Sequence, residues 1–126
     1  MKQVTAIALL LAVGLLGCHR RVEKTPPETY PVSGKLVTTR GQLPPAGSTI
    51  QFQPENVNWT ANGRIEADGS FTLSVPFNQK RLPGATQGPH SVTVFPIFEH
   101  RRGNPISIQE RCVVEPKDNR FTVSLD

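Results

Sequence analysis

From residue 30 to the end, the chain carries seven short stretches in which apolar and polar residues alternate, separated by Pro, Gly, Asn and Asp. A period of two puts every second side chain on one face of a pleated strand, so each stretch reads as a strand with one buried face. Val32, Gly34 and Leu36 share such a face, as do Ile50 and Phe52, then Phe71, Leu73 and Val75, and finally Phe121, Val123 and Leu125. Residues 89–95 and 106–114 have the same character, and residues 59–65 form a weaker candidate containing Ala61 and Gly63. Twelve prolines and ten glycines in 126 residues supply the turns. No stretch of this region has a helical period, and there is no internal repeat. About seven strands in roughly 100 residues imply an all-β fold, an antiparallel β-sandwich.

The connections are uneven. Glu66-Ala67-Asp68-Gly69 reads as a tight hairpin turn, with Asp68 and Gly69 supplying the positive φ angles. Around Leu43, Pro44 and Pro45 a loop is expected to send one apolar residue inward. Residues 77–88 are expected to form a long polar loop. Residues 97–104, with Phe98, His100, Arg101 and Arg102, are expected to be an exposed excursion.

Ahead of the alternating region, Met1-Lys2-Gln3 is a short basic head and residues 4–16 form an apolar run that ends in Leu15-Leu16-Gly17-Cys18. Basic head, apolar stretch and small residue are the pattern of an export signal. The run is shorter than the roughly 20 residues that cross a bilayer as a helix. Leu15-Leu16-Gly17-Cys18 resembles the lipobox of bacterial lipoprotein signal peptides. The resemblance implies a leader over 1–17, cleavage after Gly17, a diacylglycerol thioether on Cys18 and acylation, with palmitate among the expected chains, of the new amino group. A cysteine suits this chemistry because its thiolate is the nucleophile. More than one acyl chain is needed for firm anchoring, since a single chain binds only marginally. His19 rather than Asp follows the cysteine, which by analogy with better-studied envelopes favours the outer over the inner membrane.

Residues 18–29 are polar, charged and proline-bearing, and read as a flexible tether, leaving 30–126 as the folded domain. The formal net charge of +4 falls to +3 when Lys2 leaves with the leader. This mild excess is not arranged as a Lys/Arg stripe interleaved with aromatics, so nucleic acid is not an expected partner.

Four segments in order, Tyr30-Pro31-Val32-Ser33-Gly34-Lys35-Leu36-Val37, Glu66-Ala67-Asp68-Gly69-Ser70-Phe71-Thr72-Leu73, Gly88-Pro89-His90-Ser91-Val92-Thr93-Val94 and Asp118-Asn119-Arg120-Phe121-Thr122-Val123-Ser124-Leu125, resemble the carboxypeptidase regulatory-like domain of short bacterial lipoproteins. The resemblance runs from about Tyr30 to Leu125 and implies a transthyretin-like, prealbumin-type sandwich. Glu66 stands where the family's hairpin motif has Asp, and His90 where it usually has Tyr. Lipoprotein members of the family mostly have no assigned activity, so the resemblance speaks to architecture more than to function.

Enzymatic patterns are missing from the sequence. There is no nucleophile-elbow motif. Purine-pathway hydrolases of transthyretin-like fold end in Tyr-Arg-Gly-Ser, whereas this chain ends Ser124-Leu125-Asp126; intradiol dioxygenases place two tyrosines on iron, and Tyr30 is the one tyrosine here. His19, His90 and His100 lack metal-ligand spacing. No catalytic residue, metal or cofactor is expected. His90 is expected in or at the rim of the core, and Cys112, flanked by Ile108 and Val114, as a small core hydrophobe with no disulfide partner once Cys18 is acylated. Candidate ligand contacts are Trp59, which could stack on a sugar ring but more often packs in a core, and Arg101 and Arg102 at a basic loop tip.

The expected function is a membrane-anchored, non-catalytic structural or interaction module of the cell envelope, held by lipid on Cys18. The alternative is a carbohydrate- or peptide-binding lipoprotein using Trp59 and the loops 77–88 and 97–104. The expected partners are the membrane and an envelope protein or glycan.

Overall fold

The computed structural model of the protein describes residues 25–126. The expected leader, Cys18 and His19 lie outside them. Among the described residues there are eleven strands and no helix: β1 Val32–Val37, β2 Thr49–Pro54, β3 Ala61–Arg64, β4 Ser70–Thr72, β5 Ser74–Phe77, β6 Lys80–Pro83, β7 Gly88–Phe95, β8 Ile97–Phe98, β9 Arg101–Arg102, β10 Ile106–Val114 and β11 Asn119–Ser124. A three-stranded sheet in the order β11-β1-β4 faces a six-stranded sheet in the order β10-β7-β2-β3-β5-β6, and β8-β9 form a separate ribbon. The fold is the all-β sandwich that the alternation implies. Its seven alternating stretches are β1, β2, β3, the β4–β5 segment, β7, β10 and β11.

Alternation is converted directly into layers. Ile50, Phe52, Val92, Val94 and Val114 from the large sheet and Val32, Leu36, Phe71 and Val123 from the small one are all at most 3% exposed. Phe52 stands between the sheets, its ring centroid 6.1 Å from Phe71, 5.8 Å from Phe121 and 6.0 Å from His90. Gly34 belongs to the same face. A Cβ there would lie 2.4 Å from the Phe121 carbonyl oxygen and 2.5 Å from Phe71 Cζ, so glycine is what lets the Phe71 ring and the β11 backbone close on β1.

Two features go beyond simple antiparallel pairing. The segment from Ser70 to Phe77 changes sheets at buried Leu73: β4 pairs with β1 and β5 with β3. The Leu73 amide donates to Val32 O (3.0 Å) while its carbonyl accepts from Gly84 N (2.8 Å), so one residue serves both sheets. The terminal strands β1 and β11 pair in parallel, Val32 opposite Asn119 through Val37 opposite Ser124. This follows from the short crossing between β10 and β11, which moves the chain to the other sheet. That crossing is organised by Asn119, 4% exposed, whose Nδ2 donates to the carbonyls of Lys117 (2.7 Å), Glu115 (2.9 Å) and Pro31 (3.3 Å) while Oδ1 accepts from Glu115 N (2.9 Å).

Two turn expectations need correction. Residues 77–88 are not a long loop: Phe77 pairs with Lys80 and Ser74 with Pro83, so β5 and β6 form a hairpin closed by Asn78 and Gln79, both at positive φ. Asn-Gln lacks the glycine that normally signals this turn, and the polar, proline-bearing β6 is built as an edge strand. In the Glu66–Gly69 turn, Gly69 alone has positive φ (89°), and Asp68 instead accepts from Ser70 N (3.0 Å) and Ser70 Oγ (2.6 Å). With Glu66 N donating to Ser70 O (2.9 Å), this is a turn followed by a left-handed glycine rather than a two-residue loop.

Candidate functional site

Register fixes which groups share an end of the sandwich. Thr49 is opposite both Arg64 and Phe95, whereas Pro54 is opposite His90 and Phe52 opposite Ala61. One end therefore carries the starts of β2 and β10 and the ends of β3 and β7, with the β8–β9 ribbon beyond them. The opposite end carries the starts of β1, β7 and β11. The chain enters there, where Tyr30 N donates to Ala85 O (2.9 Å) and Ala85 N to Tyr30 O (3.0 Å). Residues 25–29 before it have no regular structure.

The sequence-derived candidates are divided between these ends. Trp59, just before β3, lies at the entry end, half-buried against the core with its ring 5.8 Å from that of Phe77 at 54°. Arg101 and Arg102 lie on the ribbon at the far end, exposed, opposite Phe98 and Ile97. The ribbon is the expected excursion, more ordered than a loop. Glu99 and His100 both adopt positive φ, the geometry of a two-residue turn between twisted strands. Its base is latched by buried Ser48, whose Oγ donates to Pro45 O (2.7 Å) and accepts from Ile97 N (3.1 Å). The ribbon exposes apolar surface, with Ile97 37% and Phe98 52% accessible. The structure thus groups Arg101 with Phe98 and Arg102 with Ile97, lining separate depressions, and places Trp59 elsewhere.

His90 is a core residue. It is fully buried, with Nδ1 2.8 Å from Gly88 O, and Nε2 has no hydrogen-bond partner among the described residues. Loss of solvent lowers its pKa below the ordinary histidine value, against the opposing pull of the Gly88 and Cys112 carbonyls and the Glu55 charge. The unfolded chain therefore takes up this proton first. Stability from keeping His90 neutral is complete above about pH 6.5 and is lost as the pH falls below it, with a slope of at most about 1.4 kcal/mol per pH unit. Denaturant titrations at pH 7.5 and pH 5.5 are expected to show wild type losing more stability than His90→Gln; equal losses would contradict the assignment.

Cys112 is likewise buried, 9% exposed, and burial pushes its thiol up to about 11. At neutral pH almost no thiolate is present, so this sulfur is a packing group. Labelling of Cys112 in a native Cys18→Ser variant with a thiol-exchange reagent is expected to be slow and to become fast only in denaturant. Prompt labelling without denaturant would show an accessible thiol.

The outer face of the large sheet gathers polar groups that no local sequence pattern brings together. There Thr49, Asn62, Arg64 and Ser74 alternate with the buried Ile50, Ala61 and Val75, and Arg81 reaches across from β6. The signal was the polar half of the same alternation that revealed the core, but which strands lie side by side depends on long-range pairing. Among the described residues, no three His, Cys, Asp or Glu side chains come together as a metal-binding group. Compared with protein-family models, with curated proteins and with solved structures, the chain matches none.

Proposed function

We propose that the chain is a bacterial lipoprotein of the carboxypeptidase regulatory-like kind: lipid on Cys18 anchors it in the cell envelope, in the outer membrane, and its sandwich is a non-catalytic structural or interaction module. The observation that carries this reading is the polarity of the body. The chain enters at one end, at Tyr30, while the ribbon with Phe98, Arg101 and Arg102 projects from the other. The twelve residues 18–29 span at most about 40 Å when extended. An anchor at Cys18 would hold the entry end near the bilayer and turn the ribbon toward whatever lies beyond. Cysteine chemistry is in keeping with the same reading, because Cys112 is buried and so is poorly placed to carry lipid.

Metabolic labelling with an alkyne analogue of palmitate tests this. Wild type and Cys112→Ser are expected to take up the label, and Cys18→Ser to take up none. Undiminished labelling of Cys18→Ser would contradict the proposal.

A further inference from the structure

The outer face of the six-stranded sheet carries a cationic trough. A depression of about 370 Å³ is lined by Thr49, Asn62, Arg64, Thr72, Ser74 and Arg81. Thr49 also belongs to the wall of a neighbouring cleft of about 480 Å³, with Phe95, Pro96, Arg102 and Pro105. The two are therefore contiguous, and their combined lining holds three arginines and no carboxylate.

Among the described residues, ion pairs join Arg111 to Glu55, Lys117 to Glu115 and Arg120 to Asp118, and none involves Arg64, Arg81 or Arg102. Glu99, the acid of the ribbon, lines a different depression with Phe98 and Arg101. Arg81 is held in place from two strands. Its Nε donates to Ser74 Oγ (2.6 Å), and its Nη2 donates to Asn62 Oδ1 (2.5 Å) and Ser74 O (3.3 Å). Among the described residues, Nη1 has no hydrogen-bond partner. A guanidinium fixed this way loses little freedom when it takes up an anion.

We infer that this trough binds an acidic glycan, a chain of sugars bearing carboxylates or sulfates. Three separated guanidinium groups match anionic groups repeated along a chain. Between them lie hydroxyl and amide groups from Thr49, Asn62, Thr72 and Ser74, which can exchange hydrogen bonds with sugar hydroxyls, while Phe95, Pro96 and Pro105 offer apolar surface to the faces of sugar rings. A single-stranded nucleic acid would call for aromatics on which successive bases stack, and Phe95 is the one aromatic in this lining. The inference names the partner class of the interaction module proposed above, and relies on that reading only for placement in the envelope.

The test is calorimetric titration of the full-length protein in detergent micelles with polygalacturonate (carboxylated), heparin (sulfated), dextran (neutral) and an oligo-dT strand. Binding of polygalacturonate or heparin is expected, with no binding of dextran and little of oligo-dT; the preferred acidic glycan identifies the anion. Arg64→Gln and Arg102→Gln are each expected to weaken binding about tenfold at unchanged thermal midpoint, and Lys117→Gln, on another surface, to leave it unchanged. Binding to neither acidic glycan, binding to oligo-dT as tight as to the better glycan, or full retention by an Arg64→Gln/Arg102→Gln double variant would overturn the inference. Acylation is read separately from the N-terminal peptide, so the loss of one conclusion is not mistaken for the loss of the other.

Discussion

Replacing Gly84 with alanine is expected to destabilise the domain by about 3–5 kcal/mol, from backbone strain at positive φ together with steric overlap. Gly84 has φ +97°, a conformation that side chains disfavour, and an added Cβ would overlap the Tyr30 carbonyl oxygen at 1.8 Å. That oxygen has no room to retreat, because it accepts from Ala85 N (3.0 Å) on the next residue. Gly84 N in turn donates to Leu73 O (2.8 Å), at the point where the chain changes sheets. Strain at this one position reaches the entry strand and the inter-sheet crossing together. Urea denaturation followed by the fluorescence of Trp59, the protein's single tryptophan, should show a much lower midpoint. A loss below about 1 kcal/mol, the ordinary size of a mutational effect, would mean that the crossing can relax.

Truncation of Phe52 to alanine is expected to cost about 3–5 kcal/mol, the usual range for a buried phenylalanine. Phe52 is fully buried and packs on Phe71 and Phe121 of the facing sheet and on His90 of its own, so the cavity would open at the sheet interface. The Phe71 ring is already packed on Gly34 and so is poorly placed to swing into it. The same denaturation measurement checks this, and Phe52→Leu should recover much of the loss. A Phe52→Ala protein within 1 kcal/mol of wild type would place the centre of the core elsewhere.

Local patterns in the sequence made the core legible. Ile50 and Phe52, and Phe71, Leu73 and Val75, alternate cleanly and are all buried. His90 in a strand and Cys112 between apolar neighbours were also readable as interior groups. What escaped was non-local or lacked a conventional signal. The β5–β6 hairpin turns on Asn78 and Gln79 without a glycine, and its second strand is polar because it lies at an edge. Asn119 looks in the sequence like an ordinary turn residue, yet it binds groups as distant as Pro31. The trough was illegible for the same reason. Arg81 and Asn62 are 19 residues apart and meet only because β6, β5 and β3 lie side by side. The candidate Cys18 is the opposite case, visible in the sequence through a short contiguous pattern and lying outside the described residues.

Mass spectrometry of the N-terminal peptide from detergent-extracted protein addresses the anchor most directly. The expected peptide begins at Cys18 and carries a thioether-linked diacylglycerol, with further acylation at its amino group. A peptide that still begins at Met1, or one with an unmodified thiol at position 18, would contradict it.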